Sequence, residues 1–252
     1  MSPPPAQPNV GAIIPAGGQS KRFPDQDGLR KQFRKLRGKP LLVHTLERIW
    51  SVPQVGAVAV AVPEDDLAYA QDLLQPLSPA GVKLMVVAGG ATRQASVAAG
   101  LAALPEAVEV VVVHDAVRPL FDPQWITATI ALCEEFAGAI VAVPSTDTLK
   151  EVRAGANAES PSSGAIIRTV PRGAIWRAQT PQSFRAGILR QALRQAQETG
   201  ATGTDEAALV EALGGTVAVV EGSPGNIKIT TADDWDYLTW RLGRVVETQP
   251  DV

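Results

Sequence analysis

Five short runs of apolar, mostly β-branched residues punctuate the first part of the chain: 10–14, 57–62, 82–87, 108–113 and 139–143. Between them apolar positions recur at helical spacing, predicting helices over 40–50, 65–74, 93–104 and 123–136. Pro40 and Pro123 sit where a first-turn proline is tolerated. Runs alternating with helical stretches are the signature of βαβ units around a parallel sheet. The runs are too uniformly apolar for half-exposed strands, so each is expected to be central and covered on both faces.

The rhythm then breaks. Residues 148–152 and 165–170 read as short extended segments separated by a Gly/Ser/Pro/Asn-rich stretch, 153–164. Such a two-stranded excursion is marginal alone in water, so a second subunit is expected to hold it. Helices at 185–198 and 205–213, a strand at 217–220 and a last helix from 233 into 245 follow. There is no internal repeat or long linker. The expected fold is α/β and Rossmann-like: a mostly parallel sheet flanked by helices, with a protruding two-stranded β-arm over 147–172. A single domain is expected over 10–247, after a lead-in of residues 1–9.

Composition adds exclusions. With 45% hydrophobic and 19% charged residues among 252, the balance is that of a globular protein. A net charge of -3 gives no reason to expect nucleic acid or an anionic membrane as partner. No stretch approaches the ~20 apolar residues of a membrane span. The N-terminus, with its consecutive prolines, lacks the features of a signal peptide and reads as disordered. Cys133 is the only cysteine, which excludes an intrachain disulfide and fits a reducing, cytoplasmic setting.

The strands of a parallel sheet end at one edge, so the loops that follow them gather into one crevice. The unusual residues follow strands: 15–31, 89–93 and 114–119. The first loop reads Pro15-Ala16-Gly17-Gly18-Gln19-Ser20-Lys21-Arg22, matching neither a Walker A loop nor G-x-G-x-x-G. The glycine pair alone would suit any tight turn. Lys21, Arg22, Arg30 and Lys31 add charge suited to several phosphates at once. Asp115, after the fourth run, is placed to hold Mg²⁺ with phosphate oxygens completing the shell; the alternative is an Asp115–Arg118 pair that staples the loop. His114 reads as structural and His44 as a helix residue, and two histidines with one cysteine make a zinc cage improbable. Thr204 reads as a helix N-cap that can also receive a phosphate, and Thr231 as the cap of the last helix.

Taken together the motifs resemble the 2-C-methyl-D-erythritol 4-phosphate cytidylyltransferase family over nearly the whole chain. The resemblance rests on Pro15-Ala16-Gly17-Gly18 with Arg22, Lys31-Gln32, Gly89-Gly90 with Arg93 and Ser96, and His114-Asp115-Ala116-Val117-Arg118-Pro119. It continues through Asp147-Thr148, Arg172, Thr180-Pro181-Gln182, Thr204-Asp205-Glu206 and Val220-Glu221-Gly222 to Asn226-Ile227-Lys228. It implies that Arg22, Lys31 and Lys228 act on the reacting phosphates of CTP and that Asp115 holds a divalent metal, Mg²⁺ or another. Ala16, Gly17, Gly18, Gly90 and Ser96 would form the nucleotide pocket. Arg118, Thr148, Arg172, Thr204 and Lys228 would surround a sugar-alcohol phosphate, with Thr148 and Arg172 delivered across a homodimer by the arm.

Three features depart from the family pattern. The loop 23–30 is about two residues longer and carries Arg30 where proline is common, Ala91 replaces a frequent aspartate, and the arm tip is extended. A ribitol 5-phosphate cytidylyltransferase would share the loop, the aspartate and the arm. A non-catalytic nucleotide-binding regulatory module on the same fold is the alternative of another class.

Overall fold

The computed structural model describes residues 9–18, 29–154 and 164–247. The lead-in 1–8, the segment 19–28 with Lys21 and Arg22, and most of the arm tip lie outside them.

In chain order the strands are β1 (Val10–Pro15), β2 (Lys35–Leu36), β3 (Lys39–Pro40), β4 (Val55–Val62), β5 (Lys83–Ala88), β6 (Val110–Val113), β7 (Gly138–Pro144), β8 (Leu149–Ala154), β9 (Gly164–Val170), β10 (Trp176–Arg185) and β11 (Val217–Glu221). The helices are α1 (Leu41–Trp50), α2 (Leu67–Leu74), α3 (Arg93–Ala103), α4 (Gln124–Leu132), α5 (Ala186–Thr199), α6 (Glu206–Ala212) and α7 (Ala232–Glu247). Seven strands form one sheet in the order β11-β7-β10-β6-β1-β4-β5, and β2-β3 and β8-β9 form two small hairpins.

Alternation along β1 divides the core. Val10, Ala12 and Ile14 pack with Leu46 and Ile49 of α1, Ala70 and Leu74 of α2 and Ile126 of α4. Ile13 faces the other way, with Val97 and Leu101 of α3, Leu189 of α5 and Val210 of α6. The period of two thus sends each central strand into both layers, as the continuous apolar runs require. Helix α3 lies so close to β1 that a Cβ on Gly100 would stand 2.5 Å from Ile13 Cγ2. A third cluster, Leu36, Leu41, Ile229 and Leu238, ties α7 to the domain. Thr231 caps α7 as expected: its hydroxyl accepts from Asp234 N at 3.3 Å, and Asp234 Oδ2 accepts from Thr231 N at 2.8 Å.

Several expectations are corrected. The run 82–87 does not become a covered central strand: β5 is the sheet edge, with Lys83 and Ala88 exposed and only Val86 buried. Asn9, assigned to the lead-in, already belongs to the sheet through hydrogen bonds from Glu109 N and Val110 N to its carbonyl. Pro40 and Pro123 stand one residue before their helices rather than inside them.

The sequence pattern gives no sign of β10, which lies between β6 and β7 and is antiparallel to both. Its residues Gln179, Thr180, Gln182 and Ser183 are buried and polar, and it carries Pro181, all signals against a central strand. The ladder with β7 breaks between Ala178 and Gln182, so Pro181 sits where no sheet donor is needed. The polar side chains find partners from distant segments: Ser183 meets the Thr129 hydroxyl at 2.8 Å and Gln182 donates to Asp205 at 2.8 Å. Tertiary hydrogen bonds here replace the apolar burial that marks the other strands.

Candidate active site

Strands β1, β4, β5 and β6 all end at the mouth of one cavity of about 620 Å³. This is the edge where the chain order reverses about β1, the usual ligand position of an open α/β sheet. Ala16, Gly17 and Gly18 line it after β1, Gly89 to Arg93 after β5 and Asp115 to Val117 after β6. Arg30, Lys31, Glu64, Asp65, Ser96 and Lys228 complete the wall. The loop after β5 rests directly on α3, because a Cβ on Gly90 would fall 2.4 Å from Ala95 Cβ. Thr92 caps that helix by accepting from Ala95 N at 3.1 Å.

Asp115 is the electrostatic centre. Its Oδ1 meets Arg93 Nε at 3.2 Å, while Oδ2 meets both Arg118 Nε and Lys228 Nζ at 3.1 Å. Burial works against the carboxylate, but Lys228, Arg93 and Arg118 outweigh it and hold its pKa well below the usual range. Arg118 is itself anchored by donating to Asn226 O at 2.7 Å. Arg93 reaches Glu206, whose oxygens lie 2.7 and 2.8 Å from its Nη1. Burial disfavours the Arg93 charge, yet the two carboxylates prevail and hold its pKa above the ordinary arginine value. At Glu206 burial outweighs the pull of Arg93, and the carboxyl pKa is raised above its ordinary value.

His114 lies beneath this cluster, fully buried and tilted against Phe121 at 4.1 Å. The Thr180 hydroxyl accepts from Asp115 N at 3.1 Å and so has its proton free for His114 Nδ1, also at 3.1 Å. Nε2 must then carry the ring proton and donate to Arg118 O at 3.0 Å. Burial pushes the imidazole pKa down to about 4, keeping it neutral. The structural reading of His114 holds.

Lys31 opens a short 3-10 turn, Lys31–Phe33, and donates to Ile229 O at 2.6 Å. The neighbouring Gln32 is buried and donates to Ala16 O at 2.6 Å, fixing the turn against the glycine loop. Arg30, the residue in place of proline, pairs with Asp66 at 2.6 Å. Lys31 therefore stands on the cavity wall.

Ala16, Gly17, Gly18, Gly90, Ser96, Lys31, Asp115 and Lys228 line one cavity. Arg118 stands behind Asp115 rather than on the wall. Thr148, Arg172 and Thr204 are exposed and outside the wall; Arg172 donates to Thr146 O at the base of the arm. Arg22 lies outside the described residues. Thr204 does not cap α6: Asp205 does, its carboxylate accepting from Ala208 N at 3.0 Å while its backbone is extended. The buried Asn226 donates to Gln179 Oε1 at 3.1 Å and Thr180 O at 2.9 Å. Its motif was visible in the sequence, but its role as a brace between β10 and the Lys228 segment was not.

A mostly parallel α/β sheet with a cation-ringed carboxylate at its switch-point cavity belongs to the nucleotidyltransferase class. The profile described as "IspD: 2-C-methyl-D-erythritol 4-phosphate cytidylyltransferase" matches residues 10–240. The enzyme of that name from Acidobacterium capsulatum is 43% identical over 241 residues, covering 92% of this chain and 97% of that one. Its counterpart from Syntrophus aciditrophicus is 41% identical, covering 90% and 93%. The crystal structure of 2-C-methyl-D-erythritol 4-phosphate cytidylyltransferase from Francisella tularensis superposes with a TM-score of 0.74 at 33% identity, covering 92% of this chain and 99% of that chain. The chain belongs to the 2-C-methyl-D-erythritol 4-phosphate cytidylyltransferase family.

Proposed function

We propose that the protein joins CTP to 2-C-methyl-D-erythritol 4-phosphate, releasing pyrophosphate, in the non-mevalonate isoprenoid pathway. The observation that carries this reading is the cavity lined by Lys31, Arg93 and Lys228 together with Asp115, which Arg93 and Lys228 contact directly. The acceptor's phosphate oxygen attacks the α-phosphorus in line and pyrophosphate leaves. That nucleophile is already an anion, so the protein need not supply a base. Positioning and charge neutralisation carry the reaction. Lys31 and Lys228 both line the cavity, Lys31 donating to the carbonyl of Ile229 next to Lys228, and would act together on the phosphates. Arg22 would add its charge from the same loop.

Asp115 fits a divalent cation. It is kept ionised, and it is a hard oxygen donor beside the proposed phosphate site. Among the described residues no group of three or more His, Cys, Asp or Glu stands together, which suits a metal shared with phosphates rather than a protein cage. Mg²⁺ or a similar ion there would offset charge on the triphosphate. To accept it, Asp115 Oδ2 would exchange the half-exposed Lys228, which among the described residues pairs with Asp115 alone, whereas Arg93 and Arg118 are tethered elsewhere.

The remaining acceptor contacts, Thr148 and Arg172, belong to the arm. Val152, Ile166 and Ile167 on it are 51%, 62% and 49% exposed, an apolar surface suited to a second copy of the chain. The arm would cross into a partner in a homodimer and bring both residues to that subunit's site. No helix among the described residues is long and apolar enough to cross a membrane.

The test is pyrophosphate release from CTP and Mg²⁺ with methylerythritol phosphate, against ribitol 5-phosphate. Release only with the former is expected, and release only with ribitol 5-phosphate or with neither acceptor would overturn the assignment. Replacing CTP by UTP or ATP should abolish release despite Ala91.

A further inference from the structure

Glu206 is a carboxylate with 1% of its side chain exposed, on the first turn of α6 and off the cavity wall. It pairs with Arg93, the first residue of α3 and part of that wall. A guanidinium at a helix N-terminus opposes the helix dipole, so its place there needs compensation by anions. Asp115 and Glu206 supply it from two sides. The turn carrying Glu206 is itself fixed, since Asp205 caps α6 with one oxygen and receives Gln182 Nε2 with the other.

Resting on the cytidylyltransferase reading, we propose that Glu206 is a positioning residue. It holds Arg93 between two carboxylates, so that Arg93 orients Asp115 through Oδ1 and leaves Oδ2 for exchange. Without the paired Glu206 oxygens that accept from Nη1, Arg93 is drawn wholly onto Asp115 and competes for the oxygens meant for the cation. The chain thereby sets the binding strength of its metal aspartate from a helix that lies off the cavity wall.

Outer partners of metal ligands typically change affinity or activity by roughly 10- to 100-fold when removed. Mn²⁺ binding to the full-length protein with saturating CTP and no acceptor, read by electron paramagnetic resonance, tests the proposal without turnover. Glu206→Gln should weaken Mn²⁺ binding by roughly tenfold or more and lower kcat, with the KM for acceptor little changed. Should that variant fail to fold, Arg93→Lys decides alone. It keeps both charges, but a single ammonium cannot bridge two carboxylates as the guanidinium fork does, and Mn²⁺ binding should weaken likewise. A purely structural role would lower thermal stability and the active fraction while leaving Mn²⁺ affinity unmoved. Affinity within twofold of wild type in the folded variant overturns the proposal. Wild type that binds Mn²⁺ but releases no pyrophosphate would instead overturn the reading of function, and wild type that binds no Mn²⁺ overturns the metal role of Asp115 and this proposal with it.

Discussion

Lowering the pH from 7 to 5 loads a proton onto the unfolded chain that the folded protein refuses. His114 is fully buried, with Nδ1 occupied by the Thr180 hydroxyl and Nε2 donating to Arg118 O. Its pKa falls to about 4 in the fold, against an ordinary 6.5. Because the neutral ring is the folded form, its stabilising contribution is complete above pH 6.5 and declines as the pH falls toward 4. Linkage gives a loss of about 2 kcal/mol at pH 5 and about 3 kcal/mol at pH 4. Denaturant titrations of the metal-free protein at both pH values would measure this, with His114→Gln as the reference that lacks the group. Wild type should lose about 2 kcal/mol more than the variant between pH 7 and 5. Imidazole ¹⁵N shifts give the direct readout: His114 should remain the neutral Nε2–H tautomer at pH 5. A ring that titrates near pH 6.5, or equal losses in both proteins, would refute the buried-network argument.

Three other outcomes are expected. Lys31→Ala should lower kcat roughly a hundredfold with unchanged circular dichroism, and near-normal turnover would remove Lys31 from the reaction. Gly100→Ala should destabilise by about 1–3 kcal/mol in denaturant, because its Cβ would meet the fully buried Ile13 at 2.5 Å. Added stability from the better helix former would contradict that packing. Ile166→Glu should convert a dimer to monomers in sedimentation, whereas a monomeric wild type would sink the arm-exchange proposal.

Parts of this molecule were legible without coordinates because one local property sufficed. The strands β1, β4, β6 and β7 announced themselves by uninterrupted apolar, β-branched residues. Their order, together with loops rich in Gly, Lys, Arg and Asp, located the cavity edge. The strand β10 was illegible for the opposite reason. Its stability rests on Thr129, Asp205, His114 and Asn226, none of them near it in sequence. The edge position of β5 was equally hidden, since a strand's neighbours are not written in its own residues.

The same division runs through the site. By itself the sequence pointed to a basic glycine loop suited to phosphates and an aspartate after β6 suited to a divalent metal, because those residue types are chemically specific, and only the family resemblance added Lys228 to them. Only the tertiary structure decided how Asp115 is held: by three cations, two of them tethered to Glu206 and the Asn226 carbonyl and one, Lys228, half-exposed. Charge is a property of a residue, but the strength and direction of its field depend on burial and on partners up to 113 positions away.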